Sequence, residues 1–247
     1  LCPTKNIIGV TGTKGKGTTA SLIYHILKTA GKHAWLGGNI GIAPFEFLPN
    51  IKKDDWVTLE MSSFQLEDME TSPRIAIITN FYKEHLSSAD PLNPNYHKTL
   101  KKYWEAKMNI IKHQNKNDFA ILNKSLELRI RNYELRGKQF YFGHKKSDCY
   151  FKNENKINCH NSCFIIHTSL LGEHNKENIA AAVTATKIAG VKDTIIKKAV
   201  ANFKGLEHRL EFVRKILSPL LNKERARVRS RENIQFYNDS FATTPES

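Results

Sequence analysis

The sequence predicts an α/β domain with a doubly wound, mainly parallel sheet. Short apolar runs of strand character alternate with longer segments of helical period, a pattern that builds βα units. The first run, Asn6-Ile7-Ile8-Gly9-Val10, leads into Gly12-Thr13-Lys14-Gly15-Lys16-Gly17-Thr18-Thr19 and then into the helical pattern Ala20-Ser21-Leu22-Ile23-Tyr24-His25-Ile26-Leu27. Strand, glycine-rich turn and helix in that order make a phosphate cradle. Glycines let backbone N–H groups converge on phosphate oxygens, and the helix N-terminus adds its positive dipole end. Lys16 can reach the outer phosphates, and a hydroxyl after it can hold Mg²⁺. Gly17 stands where that hydroxyl is expected, so Thr18 takes the role. A plain Gly/Lys surface turn is the competing reading, outweighed because strand, turn and helix signals agree.

Strands are expected at residues 7–10, 33–36, 56–60, 75–79 and 119–123, and helices at 18–30, 94–113, 176–189 and 194–203. Ligands of such a sheet sit at the carboxyl ends of its strands. Residues 139–167 are short, aromatic and β-branched runs with turn residues at Asn153-Glu154-Asn155 and Asn158, which reads as a small antiparallel excursion. Near residue 206 the pattern restarts with a strand at 210–213, a basic irregular stretch and a strand at 234–237. The expected division is therefore 1–205 as a nucleotide-binding domain and 206–247 as the start of a second α/β domain, with a basic insertion at 217–233.

The chain has 247 residues, 40% of them apolar, and no apolar run long enough to span a membrane. Its four cysteines, Cys2, Cys149, Cys159 and Cys163, do not form a disulfide framework by count or spacing. Cys149, Cys159 and Cys163 with His160 and His167 are a poor zinc set in a strand-like context. A reducing, cytoplasmic setting is expected. The net charge of +14 suits a polyanionic partner. Much of it is local: Arg214, Lys215, Lys223, Arg225, Arg227, Arg229 and Arg231 face only Glu224 and Glu232. That stretch lacks interleaved aromatics, so a solvated insertion is expected rather than nucleic-acid binding. The chain opens on Leu1 and stops at Pro245-Glu246-Ser247, so both ends read as cuts in a longer polypeptide.

Glu60 ends the strand Trp56-Val57-Thr58-Leu59, where a carboxylate beside a phosphate loop can hold Mg²⁺. The continuation Met61-Ser62-Ser63-Phe64-Gln65-Leu66-Glu67 is more specific, as is Asn80-Phe81-Tyr82-Lys83-Glu84-His85-Leu86. With Gly37-Gly38-Asn39-Ile40-Gly41, Gly172-Glu173-His174-Asn175-x-x-Asn178, Gly205-Leu206-Glu207-His208-Arg209 and Asn238-Asp239-Ser240-x-Ala242-Thr243, the chain resembles the Mur ligases from about residue 6 to 247. These are ATP-dependent amide ligases of peptidoglycan precursor synthesis with three domains. The resemblance implies that this chain carries the central domain and the start of the third, and that the N-terminal UDP-binding domain is absent. The Ser-Ser-Phe-Gln-Leu-Glu and Gly-Gly-Asn-Ile-Gly forms point to the member that adds D-glutamate to UDP-N-acetylmuramoyl-L-alanine, with ATP and two Mg²⁺ ions. A monomer, inactive as an isolated chain, is expected. A folate-glutamylating ligase and a nucleotide-binding module without ligase activity are the alternatives.

The resemblance also implies residue roles. Lys16 and the N–H groups of Gly12, Thr13, Lys14, Gly15, Gly17 and Thr18 hold the β- and γ-phosphates. Thr18 and Glu60 hold a first Mg²⁺, and His85 helps bind a second. Lys107, in Trp104-Glu105-Ala106-Lys107, matches the lysine these ligases carbamylate; without the motif it would read as a solvent-facing helix lysine. Asn175 and Asn178 lie near the adenine, Arg209 reaches the phosphates and Asp239 the ribose hydroxyls. Asn39, Ser62 and Gln65 line the muramoyl-peptide side. Gly17, Ser87 in place of an aspartate, and Phe241 in place of a lysine depart from the family pattern.

Overall fold

The structure, a computed structural model, describes residues 2–83 and 96–206 and the backbone of strands Glu211–Leu217 and Asn233–Asn238. The chain falls into two units, Leu1–Phe203 and Lys204–Ser247.

The first unit holds strands β1 (Ile7–Thr11), β2 (Ala34–Gly38), β3 (Trp56–Glu60), β4 (Ile75–Ile78), β5 (Phe119–Asn123), β6 (Lys138–Phe142), β7 (Cys149–Phe151), β8 (Lys156–Cys159) and β9 (Ser162–Ile165). They form one nine-stranded sheet in the order β2-β3-β1-β4-β5-β6-β7-β8-β9. Pairing is parallel from β2 through β7 and antiparallel across β7-β8-β9. The excursion expected at 139–167 therefore begins later. Residues 138–142 pair in parallel with β5, and only the three short strands that follow run antiparallel. They extend the same sheet.

The helices are α1 (Lys16–Thr29), α2 (Pro44–Phe47), α3 (Ser63–Leu66), α4 (Leu100–Lys112), α5 (Glu127–Ile130), α6 (Glu173–Ile188) and α7 (Asp193–Asn202). Both faces of the central strands are buried, as parallel sheets require. Ile75, Ile77 and Ile121 pack with α1, α6 and α7 on one face; Ala76, Ile78, Ala120 and Leu122 pack with Trp104, Met108 and Ile111 of α4 on the other. Helices α1 and α6 end in the same way. Gly31 and Gly190 take positive φ (73° and 79°), and the N–H groups of Lys32 and Val191 reach back to the carbonyls of Leu27 and Thr186. Glycine is favoured there because a Cβ is strained in that conformation.

Helix α4 begins later than the sequence pattern suggests. Thr99 has extended backbone, and its hydroxyl accepts the Lys102 N–H at 3.1 Å, so it caps the helix. Residues 96–98 precede that cap, and 94–95 lie outside the described residues. In the second unit, β10 (Glu211–Leu217) and β11 (Asn233–Asn238) pair antiparallel with an irregularity between Phe212 and Arg214. The basic stretch at 218–232 lies outside the described residues.

Asp55 pins the entry to β3. Its carboxylate accepts the Trp35 indole N–H at 2.8 Å and the Lys52 N–H at 3.1 Å, and its carbonyl accepts the Thr4 hydroxyl at 2.7 Å. Burial pushes its pKa up, but the Trp35 and Lys52 donors together with the charges of His33 and Lys52 outweigh burial and hold it below the ordinary aspartate value. The depressed pKa means that Asp55 stabilises the fold fully above the unfolded value and loses that contribution as pH falls through the folded one. Asp55→Ala is expected to cost about 1–3 kcal/mol at neutral pH, and the difference from wild type should shrink in acid. Urea unfolding at neutral and acidic pH measures both.

Candidate functional site

The loop from Gly12 to Gly15 joins β1 to α1 at the carboxyl edge of the sheet, where β1 lies between β3 and β4. Gly15 is the N-cap of α1 in the left-handed region (φ 79°), and Gly12 has φ 147°. A Cβ at Gly12 would run into the Thr79 hydroxyl, and one at Gly15 into the Asn178 carboxamide. Neither position has space for a side chain.

Asn80, at the end of β4, clamps this loop. Its side-chain oxygen accepts the Thr13 and Lys14 N–H groups at 3.1 and 2.7 Å, its amide donates to the Lys14 carbonyl at 3.0 Å, and the Thr79 hydroxyl donates to the same carbonyl at 2.6 Å. Two of the N–H groups expected to face phosphate are thus engaged by the protein itself. The first turn of α1 carries Lys16, Gly17 and Thr18, whose N–H groups have no intrahelical partner. The Lys16 ammonium folds over the loop and donates to the Thr13 carbonyl at 2.9 Å. Thr18 is half-buried in that turn.

Two more ionisable side chains belong to the elements around the loop. Glu60, buried, stands at the end of β3 in register with Val10 of β1 and Gly38 of β2. Lys107 of α4 is 2% exposed, which excludes the solvent-facing reading. Its Nζ donates to the Gly12 carbonyl at 2.7 Å and lies 4.5 Å from the centre of the Tyr103 ring. The Tyr103 hydroxyl meets the Thr13 hydroxyl at 3.2 Å.

Asn178 and Asn175 are buried on α6 and joined to each other and to α1. The Thr19 hydroxyl donates to Asn178 at 3.3 Å, Asn178 donates to Asn175 at 3.1 Å, and Asn175 donates to the Leu171 carbonyl at 2.7 Å. Beside them, burial raises the Glu177 carboxyl, opposed by the Asn123 amide at 2.9 Å and the charge of His174. Burial and then the Glu177 charge raise the phenol of Tyr82.

Asn39 is exposed, with its N–H on the Glu60 carbonyl at 3.0 Å. Ser62 and Gln65 form a capping box on α3. The Ser62 hydroxyl accepts the Gln65 N–H at 3.2 Å, and the Gln65 carboxamide accepts the Ser62 N–H at 2.9 Å. His85, Ser87, Arg209, Asp239 and Phe241 lie outside the described residues. The structure adds Thr79, Asn80, Tyr103 and His97 to the neighbourhood of the loop. Tyr103 and Lys107 are four apart on one helix face, a spacing that could have paired them in advance. Nothing local marks Asn80 as a clamp on a loop 66 residues earlier.

Together these features define a phosphate-loop domain of doubly wound α/β type. Residues 10–186 match the Mur ligase middle domain, and the chain belongs to the Mur ligase family. It is 36% identical over 249 residues to the UDP-N-acetylmuramoylalanine–D-glutamate ligase of Clostridium tetani, covering 99% of this chain and 49% of that one. The chain spans about half the length of the curated relatives it matches. Among solved structures it is similar in fold to MurF from Acinetobacter baumannii (TM-score 0.67, 18% identity, 86% of this chain and 49% of that one). It is also similar to the MurF ligase of Thermotoga maritima in complex with ADP (TM-score 0.63, 23% identity, 85% and 51%).

Asn80→Ala is expected to leave the Lys14 N–H without its side-chain acceptor and to destabilise the first unit by about 1–3 kcal/mol. An unfolding free energy within about 0.5 kcal/mol of wild type in denaturant titration would mean that water replaces the clamp.

Proposed function

We propose that this chain is the catalytic centre of an ATP-dependent amide ligase that adds D-glutamate to UDP-N-acetylmuramoyl-L-alanine. The observation that carries this is that Lys16 and Lys107 both donate to carbonyls of one glycine loop, beside the buried Glu60 that ends the neighbouring strand β3. It is supported by 36% identity along 99% of the chain to a ligase of that name. The reading concerns the whole enzyme, of which relatives have about twice this length.

In this reading the first turn of α1 and Lys16 bind the outer phosphates of ATP, and Asn80 keeps the loop open to them. The muramoyl-alanine carboxylate attacks the γ-phosphate, giving an acyl phosphate and ADP. The amine of D-glutamate then attacks the acyl carbon and releases phosphate. Asn39 and the turn carrying Ser62 and Gln65 face the acceptor. Asn175 and Asn178, linked to α1 through Thr19, lie on the adenine side in this reading. The family resemblance assigns Arg209 to the phosphates and Asp239 to the ribose hydroxyls, both outside the described residues. Closure of a further domain would exclude water from the acyl phosphate.

The donor set fits a hard divalent cation. Glu60 supplies a buried carboxylate and Thr18 a hydroxyl at the mouth of the loop. These two would hold a first Mg²⁺, and His85 with carbamylated Lys107 a second. Bound Mg²⁺ neutralises the crowded phosphate oxygens. Carbamylation of neutral Lys107 by CO₂ releases a proton and makes the side chain an anion. It leaves one N–H on Nζ, enough to keep the bond to the Gly12 carbonyl.

Lys16→Ala is expected to weaken Mg·ATP binding about ten- to a hundredfold, the value of a hydrogen bond to a charged group. Equal affinity of the two proteins in calorimetry would remove the phosphate-loop reading. In the full-length ligase, Lys107→Ala should cut turnover strongly in bicarbonate buffer, and acetate should restore part of it by standing in for the carbamate. Near-wild-type turnover without acetate would dismiss the carbamate.

A further inference from the structure

His97 is a buried histidine that the proposed chemistry does not use. It is 2% exposed and sits just ahead of α4. Its Nε2 meets the Ser63 hydroxyl at 2.8 Å, and Ser63 is itself 3% exposed. Its ring lies flat on Phe64, with centroids 4.7 Å apart and planes 4° from parallel. The same ring packs against Tyr103 at 5.2 Å with a 40° tilt. Ser63 and Phe64 belong to α3, the turn carrying the Ser62–Gln65 capping box. Tyr103 belongs to α4; its hydroxyl touches the loop at Thr13, and its ring lies beneath the ammonium of Lys107, which itself bonds the Gly12 carbonyl. Phe81, the residue after the Asn80 clamp, closes on Tyr103 from another side at 5.2 Å.

These contacts form one buried path from α3 to the loop. A histidine does two things here that an aliphatic residue of similar size cannot. The hydrogen bond to Ser63 fixes the rotation of the ring, and the flat ring fixes the tilt of Tyr103 against it. Tyr103 in turn contacts both the Thr13 hydroxyl and the Lys107 ammonium. α3 is also tied to α4 at its far end, where the Asn109 amide donates to the Leu66 and Glu67 carbonyls at 2.9 Å each. The Asn109 bonds hold the helices together without touching Tyr103. The two attachments therefore separate a packing role from a positioning one.

We propose that His97 is a positioning residue for the phosphate loop: it sets Tyr103, and through it Thr13 and Lys107, by reference to the Ser63–Phe64 turn. The acceptor-side turn and the nucleotide loop are thereby held in one register. The nucleotide part of this inference rests on the phosphate-loop reading above; the part concerning loop order does not.

The test uses the 247-residue chain and two measurements. One is amide hydrogen exchange over residues 12–18, and the other is titration with Mg·ATP, each alongside the melting temperature. His97→Leu and Ser63→Ala remove the same hydrogen bond from its two ends. Both are expected to speed exchange of the Thr13 and Lys14 amides and to weaken Mg·ATP about three- to tenfold. His97→Gln, which can still bond Ser63, should recover most of both effects. Asn109→Ala should lower the melting temperature and leave loop exchange and affinity at wild-type values. If His97→Leu and Ser63→Ala lower the melting temperature but leave exchange over 12–18 unchanged, His97 is core packing and the inference fails. Should His97→Leu not fold, Ser63→Ala decides by the same criterion. If Lys16→Ala binds Mg·ATP as wild type does, the phosphate-loop reading falls, and hydrogen exchange alone still judges His97.

Discussion

No side chain fits at Gly12 or Gly15, and much of the site is arranged by that constraint. The end of β4 lies directly against Gly12, and α6 lies directly against Gly15. Because both neighbours come that close, they reach the loop with polar groups. Thr79 and Asn80 hold it from the strand side, and on the helix side Asn178 packs against Gly15 and bonds Thr19 in the first turns of α1. In the proposed function the loop presents N–H groups to an anion, and such a loop gains from being fixed beforehand, since order already present need not be imposed on binding.

The sheet explains why these groups meet. Parallel strands place their carboxyl ends on one edge, and the chain leaves β1, β3 and β4 there in adjacent positions. Gly12, Glu60 and Asn80 each follow or end one of those strands. Helices α1 and α4 pack on opposite faces of the sheet, so Lys16 and Lys107 approach the loop from different sides. Burying Lys107 is tolerable because its ammonium finds a carbonyl and an aromatic face.

The residues linking α3 to α4 divide into two kinds. Asn109 ties backbone to side chain at the far end of α3, which is an ordinary way to dock a one-turn helix too short to be stable alone. His97 and Tyr103 lie at the end facing the loop and are joined by ring contacts with defined tilt. Ser62 and Gln65, implied by family resemblance to line the acceptor side, spend their polar groups on each other as a helix cap. Their effect on an acceptor would come through the shape of the turn as well as through contact.

The phosphate loop, Glu60 at a strand end and the parallel strand runs were legible in the sequence because each is written in consecutive residues. β3 and β5 fall at the residues expected, and the other strands expected in the first unit differ by a residue or two at their ends. Helix α4 was expected too early, because the Thr99 cap that stops it is a weaker signal than the amphipathic pattern it interrupts. The parallel pairing of β6 was missed because a short aromatic strand reads the same beside either kind of neighbour. Asn80, Tyr103 and His97 could not be assigned in advance, since their partners lie 66, 90 and 34 residues away in the chain. By itself the sequence determined the local geometry: a strand, a glycine turn and a helix whose first N–H groups point outward. Only the tertiary structure decided which polar groups hold that turn in place, because hydrogen bonds and ring contacts between distant segments depend on how the strands are ordered in the sheet.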